Sequence, residues 1–387
     1  MAPKAQSKTR GRSWPFSDFA ALCAPPVTHS LILVSQKAGF QRALHAWYRR
    51  NHRRLPWRAE PSLYRTVVSE FMLQQTQIKT VLPYFERWMT ALPDFAALAS
   101  ASEADVLRLW EGLGYYSRAR SLRLLAQMVT ALSAPPRTPG AWRELPGVGP
   151  YTATAIASIA FGAPASCVDG NVARVLARLT ADATRFRDRA AALKRFAPLA
   201  EALLTPANPG LHNQAMMELG ALVCRPRDPQ CPSCPVRRFC AAARHQPEIY
   251  PRFTRKKSGR RTVFRAWCEQ CERLLLHRIS AGARRLASLY ELPTPADLGL
   301  DAAVVQAAPL LAKRRRSLAN HVVLELIHTV RLTPAQERRV TANPTLHWVS
   351  RTGLNAITLS GPHRRWVDEI LQTTPRNVLP PQYRTGV

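Results

Sequence analysis

CRPRDPQCPSCPVRRFC (Cys224–Cys240) sets four cysteines, Cys224, Cys231, Cys234 and Cys240, within seventeen residues at the spacing C-x6-C-x2-C-x5-C. Four thiols so close in sequence converge on one point only in a small looped knot, and two occupants suit such a knot, a zinc ion or an iron–sulfur cluster. Four-cysteine zinc sites commonly pair two short C-x2-C hairpins. Here one short pair is flanked by two unequal arms, which favours a cubane [4Fe–4S] cluster. Unrelated core cysteines would not be interrupted by Arg225, Arg227, Arg237 and Arg238, and a chain of 387 residues folds without disulfide staples. A cysteine knot in a cationic loop points to a surface that binds nucleic acid.

The composition agrees. Fifty-five Lys and Arg oppose twenty-five Asp and Glu, a formal charge of +30 that repels itself unless a polyanion is the working partner. Nine tryptophans and 46% apolar residues separate the chain from short basic packaging proteins and provide for two or three packed domains. The thiols imply a reducing compartment. The apolar stretch Leu31–Val34 is too short and too late for a secretory signal, and no segment approaches the length of a membrane span. The expected setting is a bacterial cytoplasm, in association with the nucleoid, and the expected state is a monomer. The basic, acid-free start of the chain leaves a mitochondrial presequence open.

Along the chain, residues 1–36 read as a basic, loosely ordered arm. Residues 37–245 read as helical: Phe40–Arg50, Tyr64–Gln77, Ser102–Trp110, Arg118–Leu132, Tyr151–Phe161, Val172–Leu179 and His212–Val223 carry helix-like apolar spacing, and nothing there alternates as a strand. Residues 246–261 read as a basic linker, with six cations in the ten residues Arg252–Arg261. Thr262–Cys268, Arg273–Ile279 and Val322–Leu332 then read as strands, and Ala302–Leu311 and Pro362–Leu371 as helices. This makes an α+β module over 262–375, followed by a tail, 376–387.

Three further stretches carry chemistry. In LPGVGPYTA (Leu145–Ala153), Gly147 and Gly149 flank Val148 directly before a helix, so backbone N–H groups and the helix N-terminus face an approaching anion. This resembles a helix-hairpin-helix element gripping a DNA phosphate, although alone it is also a common inter-helix turn. In VDGNVAR (Val168–Arg174), Asp169 stands at a helix entry, where an aspartate is ordinarily an N-cap. In SEFMLQQTQ (Ser69–Gln77), Glu70 sits among Val67, Phe71 and Leu73, a setting that raises a carboxyl pKa toward proton donation, although most helix glutamates are simply solvated.

Together with the cysteine spacing, these stretches resemble the endonuclease III superfamily of DNA glycosylases. SEFMLQQTQ, LPWR (Leu55–Arg58), GLGYYSRAR (Gly112–Arg120) and NQAMMELGA (Asn213–Ala221) resemble its adenine DNA glycosylases, the MutY family, over about residues 38–245. The resemblance implies an all-α helix-hairpin-helix glycosylase core with a [4Fe–4S] cluster loop, followed by an α+β Nudix-like C-terminal domain. It implies a six-helix lobe over about 61–175 and an iron–sulfur lobe over about 37–60 and 176–245. The four cysteines would ligate the cluster. Glu70 would protonate adenine N7, and Asp169 would stabilise or capture the sugar cation, with Asn171 and Tyr151 orienting acid and sugar. Gln214 and Arg58 would line the adenine pocket, and Gln75, Leu113 and Tyr115 would fill the gap left by the flipped base; for Leu113 and Tyr115 core packing is the alternative. Tyrosine at 151, where the superfamily's lyases carry a lysine, implies a monofunctional enzyme that leaves an abasic site. The implied partner is double-stranded DNA holding adenine opposite 8-oxoguanine or guanine.

The C-terminal module departs furthest from the pattern. Arg273–Pro293 resembles a worn Nudix opening, but the chain has no Glu-rich hydrolysis box. The family's Phe-Ser-His recognition loop aligns with Ala319, Asn320 and His321, so only the histidine is kept, and discrimination of 8-oxoguanine from guanine is expected to be weaker. Lys313–Arg316 reads as phosphate-binding or as a solvated run. Cys268 and Cys271 form a C-x2-C pair with no second pair, and Cys23 and Cys167 read as inert. Two other activities stay open: a thymine mismatch glycosylase of the same superfamily, which lacks the acid at Glu70, and a non-catalytic DNA-binding protein, which needs neither acid.

Overall fold

The computed structural model describes residues 26–254, 259–283, 286–318 and 321–373. The chain forms two compact units, one of Met1–Arg53 with Ala157–Thr254, the other of Arg54–Ile156 with Arg255–Val387.

In the first unit, helices Lys37–Asn51, Gly170–Leu179, Arg189–Leu203 and Pro209–Leu222 bury Phe40, Leu44, Leu176, Phe196, Met216 and Leu219 in one core. Three of these helices begin at side-chain caps, where Asp169, Asp188 and Asn208 accept from the N–H groups of Val172, Ala191 and Leu211. Gly220 allows the close approach of helices Gly170–Leu179 and Pro209–Leu222, since a Cβ there would stand 2.6 Å from Asn171 Cβ. Helix Gly170–Leu179 lies wholly in this unit, and the two units change over in sequence at 53/54 and 156/157.

In the second unit, helices Leu63–Leu73, Ile78–Ala91, Glu103–Trp110 and Ser117–Ala131 bury Val67, Phe71, Phe85, Trp88, Trp110 and Leu122. The helix expected to reach Gln77 ends at Leu73, because Gln74 turns to ψ 111° and Gln75 to φ 57°, both outside helical geometry. Ile78–Ala91, like Arg189–Leu203 in the first unit, was not apparent from apolar spacing; each holds an interior proline, Pro83 and Pro198.

The C-terminal module belongs to this second unit. His321–Thr329 is the middle strand of a three-stranded sheet, parallel to Gly259–Trp267 and antiparallel to Leu310–Leu318. A second sheet centres on Arg273–Arg278, paired with Glu269–Gln270, Tyr290–Glu291 and Leu346–Ser350. Helix Gly361–Thr373 packs Trp366, Val367 and Ile370 against Trp267, Leu276 and Ile327.

The supposed linker ends are strands: Arg252–Phe253 pairs with Arg185–Phe186, and Gly259–Arg261 opens the long strand. The helix expected over Ala302–Leu311 stops at Ala307, and the cationic run lies in the following strand. There Arg314 and Arg316 pair with Glu369 and Glu325, whereas Lys313 and Arg315 point to solvent.

Glu325 is fully buried and takes Arg265 on one oxygen at 2.9 Å and Arg316 on the other at 2.7 Å. Breaking a buried charge pair from one side is costly, so Glu325→Ala is expected to destabilise the protein by about 3–5 kcal/mol. Urea unfolding monitored by tryptophan fluorescence checks this, and a loss below about 1 kcal/mol would contradict it.

Candidate active site

Asp169 caps helix Gly170–Leu179 and is held at both oxygens: Val172 N–H donates to Oδ1 at 2.7 Å and Asn171 Nδ2 to Oδ2 at 2.9 Å. Burial raises its pKa above the ordinary carboxylate value, against the pull of those two donors and of Arg174. Asn171 is fixed in turn by Arg174, which donates to Asn171 Oδ1 at 2.9 Å, Gly220 O at 2.7 Å and Cys224 O at 2.8 Å.

One turn further along, buried Arg178 donates to Cys224 Sγ at 3.3 Å, Arg225 O at 2.7 Å and Pro226 O at 3.1 Å. The Cys240 thiol donates to Arg178 O at 3.3 Å. A single helix therefore joins the aspartate to the cysteine knot. The four cysteines are free and half-buried. Burial first, then the mutual repulsion of the thiolates, pushes Cys234 to about 11 and Cys240 to about 12. No group of three or more His, Cys, Asp or Glu side chains is arranged around one point as a metal site among the described residues. The donor set nonetheless suits a thiophilic cluster: four free sulfurs within one knot, one already accepting from a guanidinium.

Gln214 lies in the same unit. Its Oε1 accepts from Tyr48 Oη at 3.3 Å, and it lines a cavity of about 460 Å³ with Tyr48, Ser158, Ile159, Asn208 and Gly210.

In the second unit Glu70 is only 8% exposed, on helix Leu63–Leu73 beside fully buried Val67 and Phe71. Arg58 is half-buried at the start of the chain in this unit, in the short helix Pro56–Ala59. Gly147 has φ 75°, and a Cβ there would stand 2.5 Å from Ser121 Cβ and 2.8 Å from Phe71, so no other residue fits. Val148 is buried, and a Cβ at Gly149 would meet no atom within 4 Å, leaving the turn backbone open to an approaching ligand. Half-buried Tyr151 stands in the first turn of helix Pro150–Phe161.

Of the three expected wedge residues, Gln75 and Tyr115 take left-handed conformations at φ 57° and 48°. Tyr115 is 60% exposed. Leu113 is 6% exposed, so in this structure it packs in the core rather than projecting from it. The residue that brings the two loops together lies within GLGYYSRAR. Buried Arg118 donates to Phe71 O at 2.9 Å, Met72 O at 3.1 Å and Gln74 O, and to Leu113 O and Gly114 O at 3.1 Å each. Its guanidinium also lies 5.5 Å from the Tyr115 ring centroid. Burial lowers its pKa to about 10. Exposed His321 opens its strand, its ring against Gly259, where a Cβ would stand 2.5 Å from Cδ2. Asn320 and Ala319 lie outside the described residues.

Residues 68–198 match the HhH-GPD superfamily of base excision DNA repair proteins. The chain is similar to proteins named adenine DNA glycosylase. It is 47% identical over 222 residues to the adenine DNA glycosylase of Homo sapiens, covering 54% of this chain and 40% of that protein. It is 40% identical to that of Schizosaccharomyces pombe, covering 56% and 53%, and 34% identical to that of Buchnera aphidicola from Schizaphis graminum, covering 56% and 64%. The chain thus spans 40% to 64% of the length of these relatives. Among solved structures it is similar to a thermostable thymine-DNA glycosylase at 25% identity and TM-score 0.48, covering 54% of this chain and 97% of that one. A non-covalent endonuclease III–DNA complex aligns at 22% identity and TM-score 0.47, covering 55% and 96%. No helix among the described residues is long and apolar enough to cross a membrane.

Because the folded chain holds the Asp169 proton more tightly than an unfolded one, the stability this group supplies is complete below its ordinary pKa and is lost as pH rises through the raised one. Asp169→Asn keeps a capping oxygen and removes that loss. The variant is therefore expected to be more stable than the parent at neutral pH, with the difference closing on acidification. Denaturant midpoints across the acid range check the sign; a gap that widens on acidification would contradict it.

Proposed function

We propose that the chain is a monofunctional DNA glycosylase that hydrolyses the N-glycosidic bond of adenine paired with 8-oxoguanine or guanine in duplex DNA. The observation that carries this reading is the presence of two shielded acids, buried Glu70 and half-buried Asp169, the latter held at both oxygens, in a chain 34% to 47% identical to proteins named adenine DNA glycosylase.

The glycosidic bond is inaccessible in stacked DNA, so the adenine must leave the helix. Gln75 and exposed Tyr115 fill the gap, while the Gly147–Gly149 turn holds the backbone through its N–H groups. Gln214 and Arg58 receive the base. Glu70, shielded among apolar neighbours, donates a proton to adenine N7 and turns the base into a leaving group. As the bond breaks the sugar gains oxocarbenium character, and the Asp169 carboxylate, already oriented by Val172 and Asn171, stabilises it or captures C1′ until water attacks. Asn171 and Tyr151 keep acid and sugar aligned. Tyrosine at 151 forms no Schiff base, so an intact abasic strand is the product.

Cys224, Cys231, Cys234 and Cys240 would hold a [4Fe–4S] cluster, which when bound ties the arginine-rich loop into one shape for the DNA backbone. The C-terminal module is read as Nudix-like, with His321 toward the base opposite the adenine. The absence of a Glu-rich box in the sequence argues against nucleotide hydrolysis there.

Glu70→Gln keeps the side-chain shape but has no proton to give. Excision from a labelled A:8-oxoguanine duplex, scored as strand breaks after alkali, is expected to fall by about 100- to 10,000-fold with duplex affinity kept. Near-normal excision would remove Glu70 from the mechanism, and breaks at T:G in place of adenine would move the chain to the thymine enzymes. Protein purified without air is expected to carry about four irons and to be brown. Cys231→Ser should lower both iron content and DNA affinity, whereas one zinc and no iron would overturn the cluster assignment.

A further inference from the structure

The loop that presents Tyr115 is conformationally demanding. Gly112, Gly114 and Tyr115 all have positive φ, at 103°, 71° and 48°. Gly112 passes so close to the Tyr84 hydroxyl that a Cβ could not fit. A non-glycine residue in left-handed geometry persists only where its surroundings over-determine it. Arg118 supplies one side of that constraint, through Leu113 O and Gly114 O.

The other side comes from the C-terminal module. Leu359 N–H donates to Glu111 Oε1 at 2.9 Å, and the buried Tyr116 hydroxyl donates to Leu359 O at 3.0 Å. Arg364 forks onto Glu111, Nε to Oε1 at 2.8 Å and Nη2 to Oε2 at 3.2 Å, while Nη2 also binds Leu354 O at 2.9 Å and Ile357 O at 2.7 Å. The backbones of Gly112 and Gly361 meet, with 3.5 Å left between Gly112 Cα and a Cβ built on Gly361. The segment making these contacts is itself anchored. Tyr290 N–H donates to Thr358 O and Ser360 N–H to Tyr290 O, at 3.0 Å each, and Ser360 Oγ donates to buried Glu291 at 2.9 Å. All of these residues belong to one compact unit.

We propose that the 357–361 segment and Arg364 are positioning elements that brace the 111–116 loop, so that extrusion of adenine by Tyr115 depends on the C-terminal module independently of any contact that module makes with the opposite base. The proposal rests on the glycosylase reading. A loop clamped from two sides reaches the duplex already shaped, and the ordering it would otherwise undergo on binding is avoided. The arginine is specific to this role, since a lysine cannot fork onto the carboxylate and still reach two carbonyls.

The test uses full-length protein on duplexes with adenine, or fluorescent 2-aminopurine, opposite 8-oxoguanine. Arg364→Ala is expected to slow single-turnover excision and to reduce the 2-aminopurine rise by about 5- to 50-fold, within the usual range of coupling between sites, with affinity for undamaged duplex unchanged. In a Tyr115→Ala background the same substitution should add nothing, because both act through one step. Tyr116→Phe, which keeps the ring and loses one hydrogen bond, should show the same pattern at about 3-fold and keeps the test decisive if Arg364→Ala folds poorly. Effects that multiply in the double variant, an unchanged 2-aminopurine rise, or a parallel loss of affinity for undamaged duplex would each overturn the brace. A parent protein that excises no adenine would overturn the glycosylase reading and the brace with it, an outcome separable from insensitive variants of an active parent.

Discussion

A charge removed from water must be given a fixed set of partners or it neutralises, and helix Gly170–Leu179 is organised around that constraint. Its first N–H groups and Asn171 stand in for the hydration shell of Asp169, and Arg174 fixes Asn171. The same arginine, with Arg178, reaches the carbonyls of the cysteine loop. The carboxylate still feels its burial, since its pKa lies above the ordinary value despite those donors. A carboxylate under-stabilised before the reaction gains most when positive charge develops beside it, which is the condition for differential stabilisation of a cationic transition state.

Arg118 answers the converse problem in the second unit. Helix Leu63–Leu73 ends with carbonyls that no further turn can satisfy, and Phe71 O, Met72 O and Gln74 O all accept from one guanidinium. The planar fork of arginine can serve these and the carbonyls of Leu113 and Gly114 at once. Burial without a carboxylate hydrogen-bond partner lowers its pKa to about 10, yet it stays charged near neutrality. The end of the helix that carries Glu70 and the loop that carries Tyr115 are therefore not independent parts.

These two centres were unequally legible in the sequence. Asp169 could be read as a helix N-cap because the cap and its Gly-Asn surroundings are local, and the cysteine run stood out because its spacing is local. Arg118 and Arg364 could not, because their partners are mostly main-chain carbonyls, which carry no residue signature, or residues such as Glu111, 253 positions away. The strand Leu310–Leu318 was hidden because Lys313–Arg316 shows no apolar alternation: all four side chains are cationic, and only the pairing with Glu369 and Glu325 reveals which two face inward. Leu113 illustrates a true ambiguity, as the same leucine suits a wedge or a core and only its packing decides. The close approach of Gly220 to Asn171 is likewise a contact between helices that apolar periodicity does not record.

The same distinction alters what the formal charge of +30 means. Arg118, Arg174, Arg178, Arg265, Arg316 and Arg364 direct their guanidinium groups at carbonyls or carboxylates within the fold. The cations left to meet phosphate are those without such partners, among them Lys313 and Arg315 on the open side of a strand whose other arginines are paired. Phosphate neutralisation scales with the charges that reach the backbone of DNA, not with net charge. In this chain arginine serves two purposes, holding loops and helix ends in fixed conformations and presenting charge at the surface, and the internal group is the one tied to the loops that carry Asp169 and Tyr115.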